Sequence, residues 1–436
     1  MPKYHVSMEN PSSHYFEVVI EVSSNRANEL ASGKIRFAMP VWTPGSYLIR
    51  EFSRNVLEFS ATDLETDEEL KSCKVSKNVW QVETTGSNLV RAKYLVYAFE
   101  PTVDTSYLDH RRAVINGASV FMYVEGFEQE ESSLTILPYV DWKMISTGLV
   151  LKSTDEKSNA ETFVVPNYDT LVDSPIEIGN QTIHFFRVSG KEHKVSISSQ
   201  IKFDEASFVS DLKKIVETTI TIFSDIPYER YLFLIDFVSE GYGGLEHLNS
   251  TYCIAPIFRL QPEQEYRQLL SLFSHEFFHA WNVKRMHPRG LGPFEYSKET
   301  YTKSLWIAEG LTSYYDDLII RRAGLYSVGD YLDAFCSNIS IMKSLPAGRW
   351  QSAEEASFDT WIKHYRQDEN SPNTLSSYYL QGTLIGWMLD MEIRRSNNCS
   401  KTLDDAIREL YHETYLKEHR GYTDEEFERI CEEHIG

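Results

Sequence analysis

Short apolar segments separated by polar turns occupy about the first 170 residues of the chain. The two longest, His14–Ser23 and Leu89–Phe99, are rich in the β-branched and aromatic residues that favour strands. Three shorter segments have the same character: Asn78–Thr84, Ser119–Glu125 and Ser133–Leu137. Turns rich in Pro, Gly and Asn separate them at short intervals, so the pattern predicts a β-sandwich or a curved sheet.

Helical periodicity replaces this pattern in the second part of the chain. It begins at Phe203–Phe223 and dominates from Glu265 onward. Between them lie one apolar strand, Tyr231–Val238, and a glycine turn, Gly241–Gly244. A β domain followed by a mixed-to-helical domain indicates the α+β class.

The stretch Tyr168–Gly179 mixes Pro, Asp and Gly irregularly and separates the two patterns. We therefore expect an N-terminal β domain over residues 1–170 and a second domain over residues 171–436. A chain of 436 residues is long enough for two domains or three.

One helical segment carries polar residues that are costly to bury without a partner. The segment Glu265–Met286 is mostly apolar and is bounded by prolines, which predicts a helix. His275 and His279 lie four positions apart, on one face of that helix, where they can bind one metal ion. Glu276 stands where a general base for an attacking water is expected. The pattern is typical of zinc hydrolases; the alternative is a metal-free pair of histidines satisfied by neighbouring residues.

A second apolar helix is predicted at Thr302–Arg322, with Gly324 at its end. Within it, Glu309 suits a third ligand, because the separation from His279, 309 − 279 = 30 residues, allows a second helix to return to the metal. Two His, one Glu and an open fourth position for water make the catalytic zinc pattern, whereas structural sites usually have four protein ligands. Asp316 follows and is a candidate for orienting a ligand histidine; a surface salt bridge is equally compatible with its position.

A glycine-rich segment precedes the histidine helix. Gly243 and Gly244 allow close backbone approach, and Leu248–Ile254 is expected to continue as an edge strand to which a peptide substrate adds. Glu246 would then direct its carboxylate to the end of the site, where an aminopeptidase needs an anion for the free α-ammonium group. The alternative is a glycine turn with a solvated glutamate.

Charge and composition argue against several classes of partner. With 43 Lys and Arg against 64 Asp and Glu, the net charge is −21, which disfavours nucleic acid and anionic membrane surfaces. The five cysteines are scattered and lack CxxC spacing, as expected of reduced thiols in a cytosolic protein. Residues 1–20 show no secretion signal, and no apolar run approaches the length of a membrane span. We therefore expect a cytoplasmic location and no membrane partner.

Taken together, the motifs resemble the glycyl aminopeptidase family of zinc metallopeptidases, in the gluzincin clan that also holds aminopeptidase N. The resemblance runs over almost the whole chain and implies an N-terminal β domain followed by a thermolysin-like, mostly helical catalytic domain. The segments that carry it are Met39–Val56, Leu108–Gly126, Tyr168–Gly179, Gly243–His247, His275–Pro288, Leu305–Leu318 and Ser377–Asp390.

The resemblance also implies roles for individual residues. It implies one Zn²⁺ ion bound by His275, His279 and Glu309. It implies Glu276 as base and proton shuttle and Glu246 as the anchor of the substrate amine.

The transition-state tyrosine of the clan falls in Ser377-Tyr378-Tyr379, where a phenol donor can stabilise an oxyanion. Tyr379 is the favoured candidate and Tyr378 the alternative. Members of the family usually continue past the position of Gly436 into more helix and a PDZ-type module.

We therefore expect a zinc-dependent aminopeptidase that hydrolyses the first peptide bond of peptides with a free N-terminus. The resemblance implies a preference for small first residues such as Gly or Ala. Two alternatives stay open. A zinc endopeptidase would need no amine anchor, and a catalytically silent homologue would bind peptides without a base, although the intact Glu276 argues against it. The sequence indicates no oligomeric state.

Overall fold

The computed structural model describes residues 1–23, 33–84, 87 and 89–436 of the chain. In these residues, a part built mainly of strands is followed by a mixed sheet and then by helices. In chain order the strands are β1 (Lys3–Ser7), β2 (Tyr15–Ser23), β3 (Lys34–Ala38), β4 (Val56–Asp63), β5 (Ser72–Ser76), β6 (Val79–Glu83), β7 (Leu89–Tyr97), β8 (Tyr107–Leu108), β9 (Ala113–Ile115), β10 (Tyr123–Val124), β11 (Ser132–Leu137), β12 (Met144–Thr147), β13 (Val150–Asp155), β14 (Ala160–Val165), β15 (Ile176–Gly179), β16 (Thr182–Val188), β17 (Lys191–Ser199), β18 (Arg230–Val238), β19 (Gly243–Glu246) and β20 (Ser250–Pro256).

The helices lie mostly in the second half of the chain. In chain order they are α1 (Gly117–Val120), α2 (Tyr168–Val172), α3 (Glu205–Phe223), α4 (Glu263–Phe278), α5 (Leu311–Arg322), α6 (Val328–Ser344), α7 (Ala353–Phe358), α8 (Ser371–Thr374), α9 (Tyr378–Ser396), α10 (Leu403–Tyr411) and α11 (Asp424–Ile435).

Three sheets form the first part of the molecule. The largest has the strand order β13-β14-β11-β1-β2-β7-β4, and the two smaller sheets have the orders β10-β3-β6-β5 and β12-β15-β9-β8. Every second residue of β2 is buried, because successive side chains of a strand point to opposite faces and one face packs on the core. The buried faces share one hydrophobic core, which includes Phe16, Phe37, Tyr94, Phe121 and Ile178.

The division of the chain at about residue 170 stays a prediction. We propose that the first domain extends to Gly179, because β15 pairs with β12 and β9, which both belong to the first part.

The second part begins with a five-stranded sheet in the order β16-β17-β18-β20-β19. Residues 231–237 of β18 are all buried, as expected of a central strand covered on both faces. Helices α3 and α4 contribute Leu212, Ile215, Phe273 and Phe277 to the core on one face. Strand β19 lies at the edge of this sheet and pairs with β20 in antiparallel fashion.

The two parts meet through an apolar contact and an ion pair. Trp42 of the first part packs edge-to-face on Trp361 of the second, with ring centroids 5.2 Å apart. Asp173, which follows α2, accepts hydrogen bonds from Lys284 Nζ at 2.7 Å and from His247 Nδ1 at 3.1 Å. These contacts fix the first part beside the end of α4.

The predicted α+β class is confirmed, and β2, β6, β7, β11 and α3 lie within two or three residues of their predicted ends. The predicted strand Ser119–Glu125 is only partly present, since β10 covers Tyr123–Val124. The start of the predicted strand belongs to α1, which Asn116 caps by accepting a hydrogen bond from the amide of Ala118 at 3.1 Å. Residues 119–124 are all buried. The apolar residues of this segment therefore reflect burial on every side, and they do not by themselves distinguish a strand from a helix.

The helix predicted over Glu265–Met286 is shorter in the structure, where α4 ends at Phe278. Beyond Phe278 some amides no longer donate to the carbonyl four residues earlier. Ala280 N donates to Phe277 O, three residues back, and Met286 N donates to Trp281 O, five residues back. The carbonyl of Ala280 instead accepts a hydrogen bond from the side chain of Arg285 at 2.6 Å. A side chain thus replaces the helical amide that the apolar pattern predicts.

The prediction of Leu248–Ile254 as an edge strand is also wrong. Strand β20 lies inside the sheet, between β18 and β19, and β19 is the edge. Gly243 and Gly244, predicted to form a turn, are part of that edge strand. Within the residues that the structure describes, no helix combines the length and apolar character needed to cross a membrane.

Candidate functional site

The end of α4 carries the two histidines of the HExxH motif. His275 lies in the last turn, and His279 is the first residue after it. His279 keeps α-helical backbone angles, φ −60° and ψ −19°, and its amide donates to the carbonyl of His275. The two rings therefore lie on one face, with centroids 4.6 Å apart. The predicted spacing is present even though the helix ends earlier than expected.

Each imidazole is held through its Nδ1 atom. His275 Nδ1 lies 3.1 Å from Asp316 Oδ2, and His279 Nδ1 lies 2.6 Å from the carbonyl oxygen of Asn282. Since these oxygens accept, each Nδ1 donates its proton to them, which leaves Nε2 as the atom of each ring that can bind a metal ion. Both Nε2 atoms face Glu309 Oε2, at 3.4 Å and 3.2 Å. The expected hydrogen bond from His275, a candidate ligand, to Asp316 is present.

Glu309 lies in a π-helical turn, Trp306–Gly310, that leads into α5. A π-helical turn disturbs the usual pairing of amides with carbonyls four residues earlier. Asn282 Nδ2 donates to two carbonyls in this turn, Ile307 O at 3.0 Å and Ala308 O at 3.1 Å. One asparagine thus orients His279 through its backbone and secures the turn that carries Glu309. This role of Asn282 was not predicted from the sequence. The one signal for it was an asparagine placed three residues after the HExxH motif.

Two glycines bring α9 against the π-helical turn. A β-carbon on Gly310 would lie 2.5 Å from the Cα of Gly382, and one on Gly382 would lie 2.2 Å from the carbonyl oxygen of Trp306. Only glycine fits at both positions, so the two backbones touch directly. This contact places Tyr378 and Tyr379, at the start of α9, beside the site.

The two tyrosines differ in their surroundings. Tyr378 is fully buried, and its hydroxyl accepts a hydrogen bond from Thr360 Oγ1 at 3.3 Å. Tyr379 lines the open cleft together with Glu276, and its ring centroid lies 6.2 Å from that of His275. A phenol that stabilises a substrate oxyanion has to open onto the cleft, so the geometry favours Tyr379.

Glu276 is buried beside the imidazoles. Its Oε2 has no hydrogen-bond partner among the described residues. Burial raises the pKa of its carboxyl group to about 8, although His275 and His279 oppose the rise. A β-carbon on Gly244 would lie 2.2 Å from Glu276 Oε1, so the carboxylate lies directly against the backbone of β19. A buried carboxyl group with a raised pKa and a free oxygen suits proton transfer.

Glu246 lies at the end of the edge strand β19 and is 5% exposed. Burial raises the pKa of its carboxyl group, and His279 opposes that rise. A β-carbon on Gly45, where φ is +88°, would lie 2.8 Å from both carboxylate oxygens of Glu246. A loop of the first part therefore closes over this carboxylate. Gly45 was not identified from the sequence, where it is one residue of a longer motif.

Two groups of side chains have separations that suit a metal ion. His275, His279 and Glu309 form one, Glu246, Glu276 and His279 form the other, and in each the ligand atoms lie within 4.8 Å of one another. Both groups include His279. Because only its Nε2 can bind a metal, the two groups cannot each hold an ion at the same time. The first group has the donors of catalytic zinc sites. Burial alone would raise the pKa of Glu309, but the charge and hydrogen bonds of the two histidines hold it at about 2.

A cleft of 990 Å³ gives access to the site. Its floor is one face of α4 and its walls are β19 and α6, so the site opens along the edge strand. The predicted site residues Gly243, Gly244, His275, Glu276 and Tyr379 line the cleft. Glu246 lines a second cavity, of 490 Å³, between the two parts of the molecule, but one of its carboxylate oxygens lies within 4.8 Å of Glu276, which lines the cleft.

Comparison with known proteins agrees with this arrangement. Residues 3–180 match the peptidase M61 N-terminal domain, and residues 268–385 match the M61 glycyl aminopeptidase domain. An aminopeptidase N family protein from Idiomarina loihiensis has a similar structure, with a TM-score of 0.92 and 33% sequence identity. The alignment covers 98% of this chain and 72% of that chain. The chain belongs to the M61 peptidase family.

The M61 fold seen here also resembles more distant structures. Native yeast LTA4 hydrolase and the same enzyme in complex with bestatin are each 13% identical to this chain, with TM-scores of 0.58 and 0.56. The chain spans 64% of the length of each, and at this identity the likeness concerns the fold alone. A comparison with curated proteins gave no match.

Proposed function

We propose that this M61 peptidase is a zinc-dependent aminopeptidase that releases the first residue of peptides with a free N-terminus. The observation that carries the proposal is the convergence of His275 Nε2, His279 Nε2 and a Glu309 carboxylate oxygen beside the buried carboxylate of Glu276. Two imidazoles, one carboxylate and a base on the same helix are the components of metal-assisted peptide hydrolysis.

Three ligands would hold the metal: His275, His279 and Glu309. Zinc, when bound, polarises the scissile carbonyl and lowers the pKa of water towards neutrality. The hydrogen bonds of the two Nδ1 atoms to Asp316 and Asn282 fix both rings in the orientation that ligation requires.

The reaction on the protein side is a pair of proton transfers. Glu276 accepts a proton from the attacking water and transfers it to the leaving amine. Its contact with Gly244 restrains the carboxylate, and its Oε2, which has no hydrogen-bond partner among the described residues, is available for both transfers. Tyr379 donates a hydrogen bond from its hydroxyl to the oxyanion of the tetrahedral intermediate.

Glu246 supports the choice of the first peptide bond. A substrate that adds to the open edge of β19 by main-chain hydrogen bonds has one end at Glu246. A buried carboxylate binds an α-ammonium group strongly because water does not compete there. The preference for Gly or Ala as the first residue is proposed from the description of the family. We also propose a cytoplasmic location, on the composition alone.

The test compares glycyl and alanyl arylamides with their N-acetylated counterparts, with and without a zinc chelator. Hydrolysis of the free-amine substrates only, abolished by the chelator and restored by Zn²⁺, is the expected result. Hydrolysis of both substrate types would favour a zinc endopeptidase. No hydrolysis of either by protein shown to contain zinc would favour a silent peptide-binding homologue.

A further inference from the structure

An arginine at the outer end of the cleft has no part in the proposed reaction. Arg259 lines the cleft and follows β20 in a 3-10 turn, Ile257–Leu260. Its guanidinium carbon lies 4.5 Å from the ring centroid of Tyr242, which immediately precedes β19. Stacking on an aromatic ring holds a guanidinium in place while leaving the N–H groups at its edge available.

Arg259 is the arginine of the cleft that remains available for a ligand. It forms an ion pair with Glu265 at 3.4 Å, in which the two side chains are 27% and 42% exposed. A long, partly exposed ion pair contributes little to stability, so a substrate carboxylate can replace Glu265. The other arginine of the cleft, Arg267, bridges Glu263 at 2.5 Å and Asp330 at 2.6 Å. Those two carboxylates already engage its guanidinium.

Arg259 stacks on Tyr242, just before the start of the edge strand β19. The distance from there to Glu246 determines how long a peptide must be to reach both residues. With its amine at Glu246, a peptide runs antiparallel to β19, from Glu246 towards Gly243 and then Tyr242. Tyr242 lies four positions before Glu246, which corresponds to about 13 Å in an extended strand. The C-terminal carboxylate of an extended peptide of three or four residues therefore comes level with the stacked guanidinium.

Resting on the proposed aminopeptidase function, we propose that Arg259 binds the free C-terminal carboxylate of short substrates, so that tripeptides and tetrapeptides are the favoured substrate class. The guanidinium presents paired N–H donors that match a carboxylate. Glu246 and Arg259 then bind opposite ends of the same peptide. A long peptide gains nothing from this contact because its carboxylate lies beyond the cleft.

The experiment measures release of alanine from tri- and tetra-alanine as free acids and as C-terminal amides. The wild-type protein is expected to have a KM about tenfold lower for the acids, the factor associated with one charge-assisted hydrogen-bonded pair. Arg259→Gln is expected to raise the KM of the acids to that of the amides. The KM of the amides and the kcat of both substrate types should stay unchanged. The KM values of an octa-alanine acid and its amide should be equal in both the wild type and Arg259→Gln.

Two further variants separate a specific contact from a general loss of charge. Arg395→Gln removes one positive charge at an arginine that is 74% exposed and pairs with Glu392, and it should keep the preference for acids. Arg259→Lys keeps the charge without the paired donors and should retain only part of the preference.

The outcomes distinguish this inference from the proposed function. Equal KM values for acids and amides in the wild type would overturn the carboxylate contact while leaving the aminopeptidase intact. A preference for acids that survives in Arg259→Gln would overturn the assignment to Arg259. No release of alanine from any peptide would overturn the proposed function, and this inference with it.

Discussion

The backbone of Gly244 lies in direct contact with the carboxylate of Glu276. A β-carbon at position 244 would lie 2.2 Å from Oε1 and 2.3 Å from Cδ of Glu276, a distance that forces one of the two groups to move. Position 244 therefore has no room for a side chain while the carboxylate of Glu276 stays where it is.

Gly244→Ala is expected to displace the carboxylate of Glu276 and to lower kcat by about a hundredfold, in the range of general-base contributions. Zinc content should stay at one ion per chain, because the three atoms nearest the added methyl group all belong to Glu276, which is not a proposed ligand. Steady-state kinetics with alanyl arylamide and metal analysis check both points. Gly329→Ala in α6 is the matched control, because its nearest contact would be an ordinary 3.6 Å. Full activity in Gly244→Ala would contradict the contact.

Glu276→Gln is expected to lower kcat by about a thousandfold or more while zinc remains bound. The amide is nearly the same shape as the carboxyl group but has no basic oxygen to accept a proton. Single-turnover measurements and zinc analysis of the same sample separate loss of chemistry from loss of metal. Turnover close to wild type with zinc in place would remove the assigned role of Glu276.

Glu246→Gln is expected to raise the KM of free-amine substrates by about tenfold to a hundredfold, because the substrate ammonium group loses its charged partner. Inhibition by short peptides measures the effect on binding directly. Peptides with a free amine should bind less tightly to the variant, and N-acetylated peptides should bind equally to both proteins. Equal weakening for both peptide types would indicate a structural role for Glu246.

Asp316→Asn is expected to weaken zinc binding by about tenfold to a hundredfold, since the carboxylate holds the Nδ1 proton of His275. Competition with a chelator of known affinity measures this change. The adjacent Asp317→Asn is the matched control, because Asp317 accepts a hydrogen bond from Ser271 at 3.1 Å, whereas the carboxylate that pairs with His275 Nδ1 is that of Asp316. Equal zinc affinity in Asp316→Asn and the wild type would contradict the orienting role.

Asp173→Asn is expected to lower the free energy of unfolding by about 3 kcal/mol at pH 7, because Lys284 keeps a buried charge without its partner. Burial would raise the pKa of Asp173, but Lys284 and His247 hold it below its usual value. A lowered pKa stabilises the folded state above the unfolded value of about 3.9, and this stabilisation is lost as the pH falls through the folded value.

Urea unfolding between pH 7 and pH 3 checks this dependence. The difference in unfolding free energy between wild type and Asp173→Asn should be constant above about pH 5 and should shrink below about pH 3.9. The exposed Asp141→Asn is the control and should change stability little at any pH. A difference that grows as the pH falls would contradict the sign of the pKa shift.

Sequence alone predicted the features of the candidate site that depend on local periodicity. The spacing of His275 and His279 fixes them on one helical face whatever the rest of the chain does. Asp316 was likewise expected near a ligand histidine from its position after Glu309 on one helix, and the hydrogen bond is present. The α+β class followed from the change of hydrophobic pattern along the chain.

The tertiary structure decided the features that depend on contacts between distant segments. It made β19 the edge strand in place of residues 248–254, and it brought Gly45 of the first part over Glu246. It also favoured Tyr379 over Tyr378, because the contact between Gly310 and Gly382 sets which side of α9 faces the cleft. Periodicity reports how a segment folds locally, whereas strand order and helix contacts depend on how the whole chain packs, which no local pattern encodes.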